Sequence, residues 1–170
     1  MAVSRAAVCL VTGPSGSGKT TLIEGLVREL RARGIGVATV KHHRGRVEVD
    51  RPGKDTWRHR RAGALATFFV TKEEVVMFRD RPDGVDPGWL AAQCPPEARV
   101  LLVEGFKDQR GWPRIEVVRR GRERNVPWDD EVLCVATDLE GLGAPCPVFA
   151  LDDVRGIAGL LERRLLSGGS

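Results

Sequence analysis

The chain has 170 residues, 42% apolar and 29% charged, with 27 Lys and Arg against 23 Asp and Glu. At about 150 residues per domain this is one domain, residues 1–170, and the composition excludes a disordered chain, a collagen or a long coiled coil. No apolar run reaches the roughly 18 residues of a membrane span, and a net charge of +4 suits an anionic ligand without implying nucleic acid.

Residues 6–12 form a continuous apolar run, as expected for a strand buried on both faces of a parallel sheet. The run is short and enters a glycine-rich loop with no small-residue cleavage site. That argues against a signal peptide and for a cytoplasmic protein. Residues 19–33 read as a helix. Leu22, Ile23, Leu26, Val27 and Leu30 recur at helical spacing, Glu24 pairs with Arg28, and Gly34 follows the last turn. Residues 36–41 are a second strand. The stretch 42–53 is too polar for a core, and 54–64 reads as a short helix. Residues 66–70 and 74–78 are strands joined by a tight turn at Thr71 and Lys72, so they pair antiparallel. Residues 86–94 read as a helix and 99–103 as a buried strand ending at Glu104. The weak alternation of 114–118 suggests an edge strand. Residues 131–137 form a buried strand and 148–151 a short one. Residues 154–166 close the chain as a helix with Val154, Ile157, Leu161 and Leu165 on its apolar face. Residues 167–170 read as a frayed tail. Strands alternating with helices argue an α/β fold with a mostly parallel sheet, to which the hairpin is added.

The chemistry lies between the first strand and the first helix. Gly13, Pro14, Ser15, Gly16, Ser17, Gly18, Lys19 and Thr20, followed by Thr21, match G-x-x-x-x-G-K-[ST] at every fixed position. Such a loop wraps a polyphosphate with backbone N–H groups, which requires glycine where a Cβ would obstruct the turn or the approach. The phosphates then sit at a helix N-terminus, whose orphan N–H groups favour an anion. Lys19 reaches the β- and γ-phosphates, and Thr20 offers a hydroxyl to Mg²⁺. The ligand expected is a nucleoside triphosphate with Mg²⁺.

The cation needs a carboxylate at the end of a second buried strand. Glu104, directly after four aliphatics, is read as that residue, as a direct or water-mediated ligand; the alternative is a solvated acid at a strand end. A third strand ends at Asp138. A carboxylate there accepts both N1–H and N2–H of guanine, whereas adenine presents no such donor pair; the alternative is a turn or helix-capping Asp. The four cysteines show no CxxC spacing, and Cys9 and Cys134 lie in apolar runs as small buried hydrophobes. His42, His43 and His59 are too few for a zinc site, which needs more ligands at tighter spacing, and read as part of an exposed loop.

These stretches together resemble the MobB family, the GTP-binding proteins of molybdopterin guanine dinucleotide biosynthesis. The resemblance rests on the loop from Gly13 to Thr21, Lys41-His42 with Asp50-Arg-Pro-Gly-Lys-Asp-Thr56 and Arg61-Ala-Gly-Ala64, Leu102-Val-Glu-Gly-Phe-Lys107, and Val135-Ala-Thr-Asp138. It spans nearly the whole chain. It implies a P-loop NTPase three-layer fold, GTP with Mg²⁺, weak GTP hydrolysis and a homodimer. The partners implied are a MobA-type guanylyltransferase, a MoeA-type insertase and molybdopterin, with no nucleic acid and no membrane. One departure is Arg99, where the family is expected to carry Asp; this chain must then rely on Glu104.

The segment around Asp50 fits a switch-like role near the γ-phosphate, with Asp50 or Asp55 contacting Mg²⁺ through water and Lys54 adding charge. The alternative is a solvated loop whose Asp55 starts a helix. Residues 41–61 hold eight Lys and Arg against three acids, and residues 99–124 hold eight against four. If the two segments converge they form a cationic groove for a second anion such as molybdopterin, with Arg58 and Arg61 as contacts. Trp57, Trp112 and Trp128 are partner anchors or half-buried core. A competing function is a small-molecule kinase that transfers the γ-phosphoryl group, for which residues 119–124 would have to form a basic lid.

Overall fold

The apolar run after the N-terminus forms β1 (Ala7–Thr12), and the periodic segment after the loop forms α1 (Lys19–Ala32). Gly34, at φ 76°, lets the chain reverse into β2 (Gly36–Lys41). The structure, a computed structural model, describes residues 6–122 and 128–167. The last three residues of the expected tail, and residues 123 and 124 of the basic loop, lie outside the described residues. The chain divides into two compact units, residues 43–85 and the remainder.

The smaller unit holds α2 (Asp55–Arg61) and a hairpin of β3 (Ala66–Val70) and β4 (Val75–Arg79). The strands pair antiparallel with Phe68 opposite Met77. Thr71 closes the turn, its hydroxyl accepting from the N–H of Glu74 at 2.9 Å. Phe68, Phe69, Val70, Val75, Val76 and Met77 are exposed.

The larger unit continues with α3 (Pro87–Ala91), β5 (Ala98–Glu104), β6 (Arg114–Val118), β7 (Val132–Thr137), β8 (Val148–Ala150) and α4 (Val154–Leu161). Its six strands lie in the order β2-β5-β1-β6-β7-β8, and every ladder is parallel. One face packs Cys9, Val11, Val100, Leu102, Ile115 and Val117 against Leu26 and Leu30 of α1 and Ile157 and Leu161 of α4. The other packs Val8, Leu10, Leu101 and Val103 against Leu90 and Ala91 of α3. Helices on both faces of a parallel sheet make the three layers that strand–helix alternation predicts. Each fully buried leucine in them contributes about 2 kcal/mol.

Two expectations are corrected. The strand at 114–118 is not an edge: β6 lies between β1 and β7, and all five of its residues are buried. The charged residues in it gave the exposed-looking alternation, but Arg114 is neutralised in place. Its guanidinium donates to Glu131 Oε2 at 2.6 Å and pairs with Asp129, as a buried charge must. The closing helix also stops early. Helix α4 ends at Leu161, and Glu162–Leu166 forms a wider π-type turn.

Cys9 and Cys134 are core residues, as read. Burial pushes the Cys9 thiol far above its ordinary value and that of Cys134 up to about 12, which leaves both unreactive. Among the described residues no helix is long and apolar enough to cross a membrane.

Candidate phosphate and cation site

Strand β1 delivers the chain into the loop 13–18 at the carboxyl end of the sheet, where open α/β sheets bind ligands. Gly13 has φ 140°, and a Cβ on it would stand 2.3 Å from the carbonyl oxygen of Val117. Only glycine lets the loop lie this close to β6. Gly16 and Gly18 have φ 74° and 102°, which side chains resist. Gly18 is also the N-cap of α1, with no side-chain cap and no acid in the first turn. The N-terminal N–H groups of α1 therefore face the loop with no capping side chain and no acid of their own helix to compensate them.

Lys19 folds back over this loop. Its Nζ donates to the carbonyls of Gly13 at 3.0 Å and Pro14 at 2.6 Å. Burial lowers its pKa, the Glu104 carboxylate opposes that, and the Lys41 ammonium adds to it. Ser17 is fully buried, and its hydroxyl has no hydrogen-bond partner. An unsatisfied buried hydroxyl costs about 1–3 kcal/mol. A phosphate in the loop would give the Ser17 hydroxyl and the helix N–H groups an acceptor and the Lys19 ammonium, now held by two neutral carbonyls, a counter-charge, so the residues present fit an anion.

Glu104, the last residue of β5, sits in register with Val11 of β1 on one side and Lys41 of β2 on the other. Its side chain is 9% exposed. Oε2 accepts from the Thr20 hydroxyl at 2.9 Å, and Oε1 pairs with the Lys41 ammonium. Burial alone would raise its pKa. Hydrogen bonds from Lys41 and Thr20, with the charges of Lys41 and Lys19, reverse that and hold the carboxyl below its ordinary value. The backbone beyond it is pinned. Gly105 and Phe106 both take positive φ, 109° and 55°, Gly105 N–H donates to Val11 O at 3.2 Å and His42 N–H to Glu104 O at 2.9 Å. The His42 ring lies 4.0 Å from that of Phe106. The hydroxyl of Thr20 and the ionised carboxylate of Glu104 thus meet beside the phosphate loop, and hard oxygen donors fit Mg²⁺. Arg99 lies at the opposite end of β5, about 16 Å away at the rise of a strand, so an acid there would not reach a cation held at Glu104.

Asp138 follows β7 directly. Its Oδ1 accepts from the Arg120 N–H at 2.8 Å, and Oδ2 lies 3.8 Å from Arg119 Nε. The carboxylate therefore anchors the tight turn in which Arg122 N–H donates to Arg119 O at 2.8 Å. That turn brings the Arg122 side chain against Gly16. Sequence reasoning counted Arg122 in a basic loop and Lys41 in a basic segment but singled out neither as a residue of this loop. For Lys41 the signal was available: it ends an apolar strand just as Glu104 does.

The remaining candidates lie in the smaller unit. Asp50 is buried, with Oδ1 accepting from Thr56 Oγ1 at 2.8 Å and Arg51 N–H at 2.9 Å. Lys54 is the N-cap residue of α2, and Asp55 opens that helix, exposed and 4.0 Å from Arg58. The Arg61 guanidinium lies 5.5 Å from the Trp57 ring centre, and Trp57 donates to Glu48 at 2.8 Å. A cleft of about 740 Å³ in this unit is lined by Trp57, Arg60, Arg61, Phe78 and Arg79. His43 and His59 are exposed. Trp112 and Trp128 are half-buried against the core of the larger unit. Among the described residues no group of three His, Cys, Asp or Glu is placed to hold a metal unaided.

The family model described as MobB, molybdopterin guanine dinucleotide synthesis protein B, matches residues 8–138. The molybdopterin-guanine dinucleotide biosynthesis adapter protein of Haemophilus influenzae is 41% identical over 130 residues, 75% of this chain and 72% of that one. The protein of the same name from Escherichia coli is 34% identical over 150 residues, 85% of each. Among solved structures, a molybdopterin-guanine biosynthesis protein B (mobB) superposes with a TM-score of 0.68 at 27% identity, covering 92% of this chain and 97% of that one. The MobB homologue of Bacillus stearothermophilus gives 0.62 at 28% identity, with 92% and 95% covered.

Proposed function

The chain belongs to the MobB family and takes part in molybdenum cofactor biosynthesis, and from that premise we propose that it binds GTP with Mg²⁺ at the loop 13–20 and works as an adapter to the enzymes that make the guanine dinucleotide form. The observation that carries this reading is the convergence of an uncapped helix N-terminus, the Lys19 ammonium and the Thr20–Glu104 pair on one loop.

Backbone N–H groups of the loop and of the first turn of α1 would bind the phosphate oxygens, with Lys19 exchanging its carbonyl partners for them. Thr20 and Glu104 would hold the cation. Bound Mg²⁺ neutralises phosphate charge and orients the triphosphate. Asp50 already commits Oδ1 to its own loop, so Thr20 and Glu104 are the ligands this reading uses. Glu104 is a poor base for an attacking water, because its two oxygens serve Thr20 and Lys41 and its proton affinity is lowered. That supports weak hydrolysis and an adapter role. Asp138, with lone pairs beyond the one Arg120 uses, would read guanine.

The test is calorimetry with GTP and Mg²⁺. Wild type is expected to bind, and Lys19→Ala to lose affinity about a hundredfold while keeping its circular dichroism spectrum. Tight GTP binding by the variant would refute the site. Labelled GTP should yield free phosphate slowly whatever acceptor is added; nothing observed favours the kinase reading.

The remaining assignments follow from the same premise. GTP supply places the work in the cytoplasm. The exposed apolar hairpin supports a homodimer, since a two-stranded hairpin is marginal alone in water; a monomer in sedimentation at micromolar concentration would remove that reading. The cleft over Trp57, Arg60 and Arg61 suits an anionic heteroaromatic such as molybdopterin, and unchanged pterin binding by Arg61→Ala would remove it. Arg58 is not among its lining residues and pairs with Asp55 instead. A MobA-type guanylyltransferase and a MoeA-type insertase are the proposed partners, and pull-down of either from purified components tests them.

A further inference from the structure

We propose that Lys41 is an internal counter-ion that occupies Glu104 until a divalent cation displaces it, so that loading the site moves the Lys41 side chain and Lys41 sets the cation affinity. The inference rests on the reading that nucleotide and Mg²⁺ bind at this loop. Three observations carry it. The Glu104 side chain is 9% exposed, and a buried carboxylate needs a compensating charge. The ammonium that supplies this charge belongs to a side chain 65% exposed, so it can leave for water at little cost. The other oxygen of the same carboxylate already accepts from Thr20, the residue whose hydroxyl would face the cation.

The electrostatics then force a choice. A divalent ion held between the phosphates and Thr20 draws on the same Glu104 carboxylate that Lys41 now uses, and its 2+ charge repels the ammonium. One carboxylate does not compensate a 2+ ion and an ammonium in contact with each other. Mg²⁺ is small and demands its oxygens at about 2.0–2.1 Å, whereas Lys41 ends a long flexible stem. The backbone has no freedom to yield. Lys41 is fixed in register with Glu104, and the next N–H, of His42, is bonded to the Glu104 carbonyl. The side chain does have room. It borders an open groove of about 650 Å³ between α1 and β2, walled by Ile23, Val27 and Val40. Lys41 is thus a positioning residue: it holds Glu104 ionised and in place before loading and opposes the cation during it.

The experiment is calorimetric titration of Mg²⁺ into the full chain saturated with GDP. Lys41→Met is expected to bind Mg²⁺ about three- to tenfold more tightly than wild type, the range for a pair with one exposed partner. Its melting temperature should fall without ligand and match wild type with Mg²⁺ and GDP. Lys41→Arg, which keeps the charge, is expected to behave as wild type. A purely structural role for Lys41 would weaken Mg²⁺ binding or leave it unchanged on removal, and either result overturns the competition. Tightening by Lys41→Arg as well would also overturn it, since charge would not be the cause. Absence of any Mg²⁺-dependent heat in wild type with GDP would instead strike the nucleotide–cation reading beneath it.

Discussion

Replacing Glu104 by Gln isolates the electrostatics of the site, because the side chain keeps its shape and loses only its charge. The amide oxygen still accepts from Thr20, so that hydrogen bond survives. The Lys41 pair does not: ammonium and amide NH₂ are both donors. Breaking a fully buried ion pair costs about 3–5 kcal/mol, because one charge is left stranded. Here the stranded charge would be Lys41, which is 65% exposed and stays hydrated. The cost therefore falls nearer to a partly screened pair with one charged hydrogen bond, about 1–2 kcal/mol. For a chain of this size that is about 3–6 °C in melting temperature. The pH dependence follows from the sign of the shift. The folded pKa of Glu104 lies below the ordinary 4.5, so its stabilisation is complete above that value and is lost as pH falls through the folded one. Melting followed by circular dichroism from pH 7 to pH 3 should show the full gap between wild type and Glu104→Gln at neutrality and a closing gap below about pH 4.5. A gap that is absent at pH 7, or that widens in acid, would refute the placement of this carboxylate between Thr20 and Lys41.

Two further outcomes are expected. Gly13→Ala would force a Cβ to within 2.3 Å of the Val117 carbonyl, and we expect a loss of about 2 kcal/mol or more, read by urea denaturation; an unchanged midpoint would mean that the loop does not lie on β6 as described. Asp138→Asn should reduce the preference for GTP over ATP about tenfold or more, since one acceptor pair becomes a donor and an acceptor. Unchanged selectivity in competition binding would show that the base is read elsewhere.

Much of this architecture follows from local pattern. The continuous aliphatic runs of β1, β5 and β7 are legible because strands buried on both faces carry no polar alternation, and α1 because its apolar side chains return every turn. The phosphate loop is legible for a stricter reason. Glycines at fixed spacing before a lysine answer to backbone geometry, and positive φ at Gly13, Gly16 and Gly18 is what that spacing anticipates. The place of Glu104 was legible because a charge that ends an aliphatic run lies at the carboxyl end of its strand.

What the chain order does not carry is who faces whom. Arg114 and Glu116 read as solvent-facing and placed β6 at an edge, because a sequence shows a charge but not the Asp129 and Glu131 that neutralise Arg114 from the segment just before the next strand. Asp138 reads equally as a base-reader or a turn residue, and only the fold puts the Arg120 N–H on its carboxylate. Lys41 sits 63 residues before Glu104, and only the register of β2 on β5 makes them one site. Pattern along the chain is a local property set by burial and backbone conformation; the pairing of charges across strands is set by topology, and folding alone brings it about.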